Sequence, residues 1–288
     1  MATILITGAS TGIGFETALA FGRAGHKVAG AMRRPDRAPE LARVAARENL
    51  DVTTITMDVD DDASVSHAVA RVAHEIGPID VLVNNAGIER MGSVEEAPLA
   101  EFRAVMETNY FGALRCIQAV LPSMRHAQSG CIINVASVAG RLALSPMAPY
   151  TASKFALEAL CECLAQEVKS FNVRVAIVEP GVIQTQMAER ISVAEEPSEY
   201  PSRERMAALF QTLLANPTPA SLVAAQILEI AQGGTWQLRH LVGPDAAPFI
   251  AWRQTMSDEE WVGLGALDDN AWYARIKADF GLDARPRA

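Results

Sequence analysis

A tyrosine and a lysine stand one helical turn apart in the segment PYTASKFALEAL, residues 149–160. Residues four apart share a helix face, so Tyr150 and Lys154 are predicted to point the same way. A free tyrosine titrates near pH ~10 and is a poor acid or base at neutral pH. A lysine ammonium about 4 Å away favours the phenolate by about 4 kcal/mol, or about 3 units of pKa, whereas desolvation of the phenol acts in the opposite direction. The pair is therefore typical of an acid–base catalyst and the cation that tunes its pKa.

The pair alone is weak evidence, because the spacing Tyr-x-x-x-Lys is common by chance. A third polar residue, Ser137, ends the predicted strand CIINVAS ahead of this helix. The carboxyl ends of strands open into the ligand crevice of a doubly wound sheet, so the Ser137 and Tyr150 hydroxyls are expected to share a substrate oxygen. The segment NNAG ends another strand at the same edge and is expected to lie beside a bound cofactor through Asn85, Ala86 and Gly87.

The first predicted strand runs into a glycine-rich turn, TGASTGIG, at residues 7–14. Glycine allows the backbone to approach a phosphate closely, and the N-terminus of the following helix offers unpaired N–H groups. The turn lies at the first strand–helix connection, where such a fold binds dinucleotides. Its candidate cofactor-binding residues are Gly8, Ser10, Thr11, Gly12, Ile13 and Gly14.

The same letters contain the Gly-x-Ser-x-Gly pattern of serine hydrolases at residues 8–12. That nucleophile elbow needs an oxyanion loop from an earlier strand–helix connection. The segment before Gly8 has room only for the strand that leads into the turn, so no earlier strand–helix connection is expected to supply that loop. A phosphate-binding turn is therefore favoured over a hydrolase elbow.

The residues after the second predicted strand indicate which dinucleotide is bound. An NAD site usually has an acid there, which accepts hydrogen bonds from the ribose 2′-OH. This chain has Met32 followed by Arg33 and Arg34. A guanidinium can hold a 2′-phosphate with two parallel hydrogen bonds, so we expect NADP(H), with Arg33 as the main contact and Arg34 as a second. The alternative is a solvated arginine pair on a surface loop.

Short β-branched runs alternate with helical patterns up to Pro180. The runs are apolar on both faces, as in a parallel sheet covered by helices. Repeated strand–helix units imply right-handed crossovers, so the predicted fold is α/β, a single doubly wound Rossmann domain with a parallel sheet of about seven strands. The predicted strands are 3–7, 27–32, 52–57, 80–85, 131–137, 173–180 and 237–243.

Beyond Pro180 the pattern changes. Residues 184–217 are rich in Glu, Ser and Pro and are predicted to form a substrate-loop insert with short helices. All four tryptophans follow residue 235, and residues 247–288 are expected to form a helical extension packed on the domain formed by residues 1–246. Apolar candidates for contact with a substrate are Met187, Met206, Leu209, Phe210, Gly140, Leu142 and Leu144; simple packing of the insert explains them equally well.

The composition is that of a globular chain, with 50% apolar and 20% charged residues. The formal net charge is −9 and no basic cluster is present, so no nucleic-acid partner is expected. No apolar run reaches the roughly 20 residues that span a bilayer, and no secretory signal is recognisable, so a cytoplasmic protein is expected. The cysteines form no Cys-x-x-Cys pair and are expected to be free thiols, and no metal site is expected.

Over roughly residues 3–187 the chain resembles the short-chain dehydrogenase/reductase family. The resemblance rests on TGASTGIG, Asp58, NNAG, ETNYFG, Ser137, YTASK and PGVIQT, which occur in the family's order and spacing. It implies hydride transfer between a nicotinamide and an alcohol or carbonyl carbon. It also implies a role for each matched residue: Ser137 positions the substrate oxygen, Tyr150 transfers the proton, Lys154 lowers the pKa of the tyrosine and binds the nicotinamide ribose, Asn109 holds a water of the proton relay, Asp58 and Val59 meet the adenine, and Pro180, Gly181, Ile183 and Thr185 line the nicotinamide side.

The chain departs from the family pattern in two places. Thr11 stands where many NADP-using members carry a basic residue, so the NADP(H) expectation rests on Arg33 and Arg34. The long tail after LRHLVGPDA resembles the hydroxysteroid- and retinol-type members, and a homodimer is a possible assembly. We therefore expect an NADP-dependent carbonyl reductase or alcohol dehydrogenase that acts on an apolar ketone or secondary alcohol. The alternatives are an NADP-binding regulatory protein with little turnover and an NAD-dependent dehydrogenase of the same family.

Overall fold

The computed structural model describes residues 1–193 and 197–286. Residues 194–196, which belong to the predicted insert, and residues 287–288, at the end of the predicted extension, lie outside the described residues.

A parallel sheet forms the centre of the molecule. The strands are β1 (Thr3–Thr7), β2 (Lys27–Met32), β3 (Val52–Thr56), β4 (Val81–Asn84), β5 (Gly130–Val135), β6 (Val173–Pro180), β7 (Ile183–Gln184), β8 (Thr218–Pro219) and β9 (Arg239–Val242). Seven of them form one sheet in the order β3-β2-β1-β4-β5-β6-β9, and β7 pairs with β8 in a separate parallel ribbon. The order turns back between β1 and β4, which is the topological switch point of a doubly wound fold. The predicted fold and the seven-stranded sheet are confirmed.

Helices cover both faces of this sheet. They are α1 (Gly12–Arg23), α2 (Glu40–Glu48), α3 (Asp62–Glu75), α4 (Leu99–Met106), α5 (Gly112–Ala127), α6 (Ala148–Val168), α7 (Gln186–Ile191), α8 (Ser202–Leu214), α9 (Ala220–Gly233), α10 (Ala246–Gln254), α11 (Asp258–Gly263) and α12 (Asp269–Phe280). The buried side chains of α3, α5 and α6 form one apolar cluster with the sheet, and those of α1, α2 and α9 form another. Because both faces are covered, the central strands β1 and β4 are buried along their whole length and show no alternation of buried and exposed residues.

The helical stretch formed by α4 and α5 contains an irregular turn. A π-helical turn, Glu107–Phe111, joins α4 to α5. Such a turn inserts one extra residue into a helix and often marks a functional site. It places Asn109 in the interior, where its side chain is almost fully buried.

The C-terminal helices pack against the part of the molecule that carries Tyr150. Trp252, Tyr273 and Ile276 share an apolar cluster with Tyr150 and with Leu209 of α8. On this basis we propose that the described part of the predicted extension, residues 247–286, is packed on the Rossmann domain; its first helix, α10, begins one residue earlier, at Ala246. Among the described residues, no helix combines the length and the hydrophobicity that crossing a bilayer requires.

Candidate active site

A cleft of about 310 Å³ lies at the carboxyl edge of the sheet, over the switch point between β1 and β4. Most of the residues selected from the sequence line it: Gly8, Ser10, Thr11, Gly12, Ile13, Arg33, Asp58, Val59, Asn85, Ala86, Gly87, Ser137, Tyr150, Lys154, Pro180, Gly181, Ile183 and Thr185. Three of the selected catalytic and cofactor-binding residues are not part of its wall, namely Gly14, Arg34 and Asn109. Of the apolar candidates for substrate contact, Met187 and Phe210 line the cleft, whereas Met206, Leu209, Gly140, Leu142 and Leu144 do not.

The glycine turn is tied to the end of β4 by Asn85. The Asn85 side-chain amide donates to the carbonyl oxygens of Thr7, at 2.9 Å, and of Gly8, at 3.1 Å. Gly8 has a φ of 68° and Gly12 a φ of 57°, a backbone conformation that favours glycine. A Cβ on Gly14 would overlap the Gly8 carbonyl oxygen and the Asn85 amide. Gly14 therefore does not line the cleft; its lack of a side chain allows α1 to pack closely against Gly8 and Asn85.

The N-terminus of α1 lies at the cleft, because Thr11, Gly12 and Ile13 line its wall. The residue before the helix, Thr11, makes no capping hydrogen bond with its side chain, and the first turn contains no acidic residue. The first backbone N–H groups of the helix and the positive end of its dipole suit an anion such as a pyrophosphate. The local structure thus fits the phosphate-binding role expected for this turn.

The far end of the cleft is formed by the residues that follow β2 and β3. Arg33 is exposed and lines the cleft, together with Asp58 and a second acid, Asp60. Thr108 donates a hydrogen bond to Asp60 at 2.9 Å, and burial raises the pKa of Asp60 although this bond and the charge of Arg33 act against the change. Arg34 does not line the cleft. Its backbone carbonyl accepts the Arg37 N–H in the short 3-10 turn that follows β2.

Ser137, Tyr150 and Lys154 meet where β5 ends and α6 begins. Ser137 begins a short 3-10 helix, Val138–Gly140, and its hydroxyl oxygen accepts the Ala139 N–H at 3.1 Å. The Lys154 ammonium donates to the Val135 carbonyl at 2.8 Å and lies 5.6 Å from the centroid of the Tyr150 ring. Tyr150 and Lys154 are both buried. The three residues that were expected to act together are therefore neighbours in one enclosed corner of the cleft.

Burial dominates the titration of this corner. It raises the pKa of Tyr150 to about 12, with a further upward contribution from the charge of Glu89, while the Ser137 hydroxyl acts to lower it. Burial also lowers the pKa of Lys154 to about 8. The sequence indicated two opposing effects on the pKa of Tyr150, the Lys154 ammonium and desolvation. Among the protein's own groups desolvation is the larger effect, because loss of water disfavours the charged form of each residue.

Asn109 holds the cofactor-side loop in place from behind the cleft. Its amide nitrogen donates to the Ile88 carbonyl and to the Ser153 hydroxyl, both at 2.9 Å, and its side-chain oxygen accepts the Ile88 N–H at 2.8 Å. Both amide hydrogens are used in these bonds. A water at Asn109 would therefore have to donate to one of its carbonyl oxygens.

Two acids that the sequence did not single out also shape the cleft. Glu89 is buried just after the NNAG segment, and its carboxylate pairs at 3.2 Å with Arg190 of α7, which lines the cleft. Asp245, just before α10, accepts the Val182 N–H at 2.7 Å and so fixes the loop after β6. The only signal available in the sequence was the position of Glu89 directly after a recognised motif; Asp245 had none.

The fold and the cleft together define an α/β protein with the layout of a dinucleotide-dependent oxidoreductase. The family model for short chain dehydrogenase matches residues 2–196, and the chain belongs to this short-chain dehydrogenase/reductase family, in its retinol-dehydrogenase-like branch. The chain is 39% identical to a 3-ketodihydrosphingosine reductase of Bacteroides thetaiotaomicron, over 67% of this chain and 68% of that protein. It is 38% identical to retinol dehydrogenase 8 of Bos taurus, over 69% of this chain and 66% of that protein. A solved short-chain dehydrogenase from Streptomyces avermitilis superimposes with a TM-score of 0.76 at 32% identity, covering 93% of this chain and 98% of that one.

Proposed function

We propose that this protein transfers a hydride between NADP(H) and a ketone or secondary alcohol with an apolar body. The observation that carries the proposal is the enclosed corner in which the Tyr150 phenol lies beside Ser137 and Lys154, within the cleft that suits a dinucleotide. The names of the two relatives refer to a keto compound and to retinol, which supports a carbonyl or alcohol substrate.

The bound dinucleotide would supply or accept the hydride at its nicotinamide ring. The turn at residues 7–14 and the N-terminus of α1 would hold its pyrophosphate, and Lys154 has ammonium hydrogens left for a ribose after its bond to Val135. Arg33 would hold the 2′-phosphate that distinguishes NADP from NAD, because a guanidinium pairs well with a phosphate in a cleft wall.

Proton transfer in this proposal belongs to Tyr150 and Lys154. At neutral pH a phenol with a pKa of about 12 is protonated, so it can donate to a developing alkoxide during ketone reduction. The Ser137 hydroxyl would hold the same substrate oxygen. Lys154, with its pKa lowered to about 8, can release a proton near neutral pH and so return one to the tyrosine.

The substitution Tyr150→Phe tests the proposal. It removes the proton donor and keeps the ring, so turnover of ketones with NADPH should fall by about 100- to 10,000-fold. Binding of NADPH, followed by titration calorimetry, should persist. Tyr200→Phe is the matched control, because Tyr200 is exposed in the insert and bonds to Glu95 outside the cleft.

Persistent turnover in Tyr150→Phe would contradict the mechanism. NADPH binding without any turnover in the unaltered protein would instead favour a regulatory protein that binds the dinucleotide.

A further inference from the structure

A side chamber opens from the cleft beside Ser137. It has a volume of about 60 Å³ and shares Ser137 and Met147 with the wall of the main cleft. The other side of the chamber is lined by Leu142, by Leu213 of α8 and by Phe249 of α10. A substrate oxygen held by Ser137 therefore lies at the entrance of a second, much smaller compartment.

The apolar wall of this chamber is held in place by the C-terminal helices. Phe249 is buried and packs edge-on against Phe280 of α12, with ring centroids 5.0 Å apart. Leu142 is buried in the same apolar cluster. The chamber has less than half of the ~150 Å³ of an apolar cavity that admits benzene, so it suits a group of roughly two or three heavy atoms.

Thr151 adds one polar group to this wall. The residue lines the chamber and is 6% exposed, and its hydroxyl oxygen has no hydrogen-bond partner in the part of the chain that the structure describes. Leaving a buried hydroxyl unpaired is unfavourable, so a group that enters the chamber and bonds to it gains affinity. Apart from Ser137 and Thr151, the side chains of the chamber wall are apolar, and the Thr151 hydroxyl is buried beside it and unpaired among the described residues. Such a site fits a short arm that ends in a polar atom.

We propose that the chamber binds the shorter arm of the ketone substrate, and that this arm ends in a hydroxyl group bonded to Thr151. This inference rests on the proposed function, because the chamber is a substrate site only if Ser137 and Tyr150 hold the carbonyl oxygen. The longer apolar arm leaves through the main cleft past Met187. The substrate class is therefore a hydroxymethyl or hydroxyethyl ketone with one extended apolar arm.

Three ketones with equal numbers of heavy atoms test the proposal. In 3-nonanone one arm is ethyl, in 1-hydroxy-2-octanone that arm is hydroxymethyl, and in 5-nonanone both arms are butyl. With NADPH, kcat/KM for 5-nonanone should be at least about tenfold below that for 3-nonanone, because a small pocket rejects added methylenes. The value for 1-hydroxy-2-octanone should exceed that for 3-nonanone by about three- to tenfold, which is the effect of one buried hydrogen bond.

Substitutions in the chamber wall test the effect of the chamber's volume and the effect of its hydroxyl group separately. Thr151→Val keeps the shape and removes the hydroxyl, so the preference for 1-hydroxy-2-octanone over 3-nonanone should fall to about one. Leu213→Ala enlarges the chamber and should raise kcat/KM for 5-nonanone relative to that for 3-nonanone. If this variant fails to fold, Phe249→Leu enlarges the chamber from its other side. Thr53→Val, exposed on the edge strand β3, is the control and should leave both ratios unchanged.

The outcomes distinguish this inference from the function on which it rests. Equal rates with 5-nonanone and 3-nonanone, or a hydroxyl preference that survives in Thr151→Val, would overturn the chamber assignment while leaving the oxidoreductase proposal intact. Absence of turnover with all three ketones would contradict the oxidoreductase proposal for this substrate class. The affinity for 1-hydroxy-2-octanone, measured by calorimetry, then tests the assignment of the chamber. Weaker binding by Thr151→Val than by the unaltered protein supports the assignment, and equal binding overturns it.

Discussion

Burial is the main cause of the pKa shifts of Tyr150 and Lys154. The pKa of the phenol rises to about 12 and that of the ammonium falls to about 8, since each charged form loses its contact with water. The charge of Glu89 adds to the rise at Tyr150, and Arg190 is the cation that faces this carboxylate. The acid–base behaviour of the corner therefore depends on side chains beyond the catalytic set.

Replacing Glu89 by Gln tests this dependence. Loss of the negative charge should lower the pKa of Tyr150, because that charge disfavours the phenolate. Oxidation of an alcohol needs a phenolate to accept the proton, so the rising limb of kcat/KM against pH should move to lower pH. Glu229→Gln, exposed on α9, should leave the limb in place. A limb that stays or moves to higher pH in Glu89→Gln would contradict the assignment.

The proposed preference for NADP(H) depends on one side chain of this site. Arg33 lines the cleft and Arg34 does not, although they are adjacent in the sequence. Arg33→Ala should reduce kcat/KM for NADPH by about 10- to 100-fold, the effect of a charge-assisted hydrogen bond, and should change the value for NADH little. Arg34→Ala is the matched control. The proposed preference for NADP(H) would lose its basis if kcat/KM for NADPH fell equally in the two variants. It would also lose its basis if Arg33→Ala lowered kcat/KM equally for NADPH and NADH.

At the scale of elements, the site depends on how strand ends and helix turns are joined. Asn85 links the glycine turn to the end of β4, and Asn109 links the π-helical turn to Ile88 and Ser153. Both asparagines use their amides to satisfy buried backbone groups, which fixes the relative positions of loops that no continuous element connects. They act on the chemistry through the loops that they hold.

The packing of the first turn predicts the effect of Gly14→Ala. The new Cβ would collide with the Gly8 carbonyl and the Asn85 amide, so the turn has to shift. We expect a loss of about 1–3 kcal/mol in the free energy of unfolding, measured by denaturant titration, together with weaker NADPH binding. Gly233→Ala is the control, since among the described residues no atom outside its chain neighbours and its own helix backbone lies within 4 Å of its would-be Cβ. Unchanged stability and unchanged NADPH affinity in Gly14→Ala would show that the turn is looser than the structure indicates.

At the scale of the whole molecule, the C-terminal helices complete the active-site region. The Trp252 ring lies edge-on to Trp261, at 5.0 Å between centroids, and to Phe280, at 5.1 Å, and its indole N–H donates to Asp279 at 2.6 Å. Trp252 belongs to the apolar cluster that also contains Tyr150. The extension therefore packs against the surroundings of Tyr150, the proposed proton donor.

Trp252→Ala measures this coupling. Removal of a buried indole should cost about 3–5 kcal/mol of unfolding free energy. The control is Trp236→Ala, because Trp236 is 44% exposed and its main contact is the Lys169 ammonium over its ring. That change should cost about 0.5–1 kcal/mol. Similar losses in the two variants would argue against a structural role of the extension.

The sequence by itself determined the fold and the set of side chains at its carboxyl edge. Strand periodicity, the glycine turn and the spacing of Tyr150 and Lys154 are local features, and each is decided by backbone geometry within a few residues. The parallel order then follows from the handedness of the crossovers, so the cleft could be placed without coordinates. The regular strands were predicted for the same reason, and their ends shifted by only a residue or two.

Only the tertiary structure decided how strongly these side chains are desolvated and what surrounds them. The bond between Glu89 and Arg190 joins residues 101 positions apart, and the chamber wall brings Leu142 together with Phe249. Local periodicity holds no information about such contacts, because they depend on how the insert and the tail fold back over the sheet. The direction of the Tyr150 and Lys154 pKa shifts depends on the same packing, since burial is a property of the whole molecule and not of a segment.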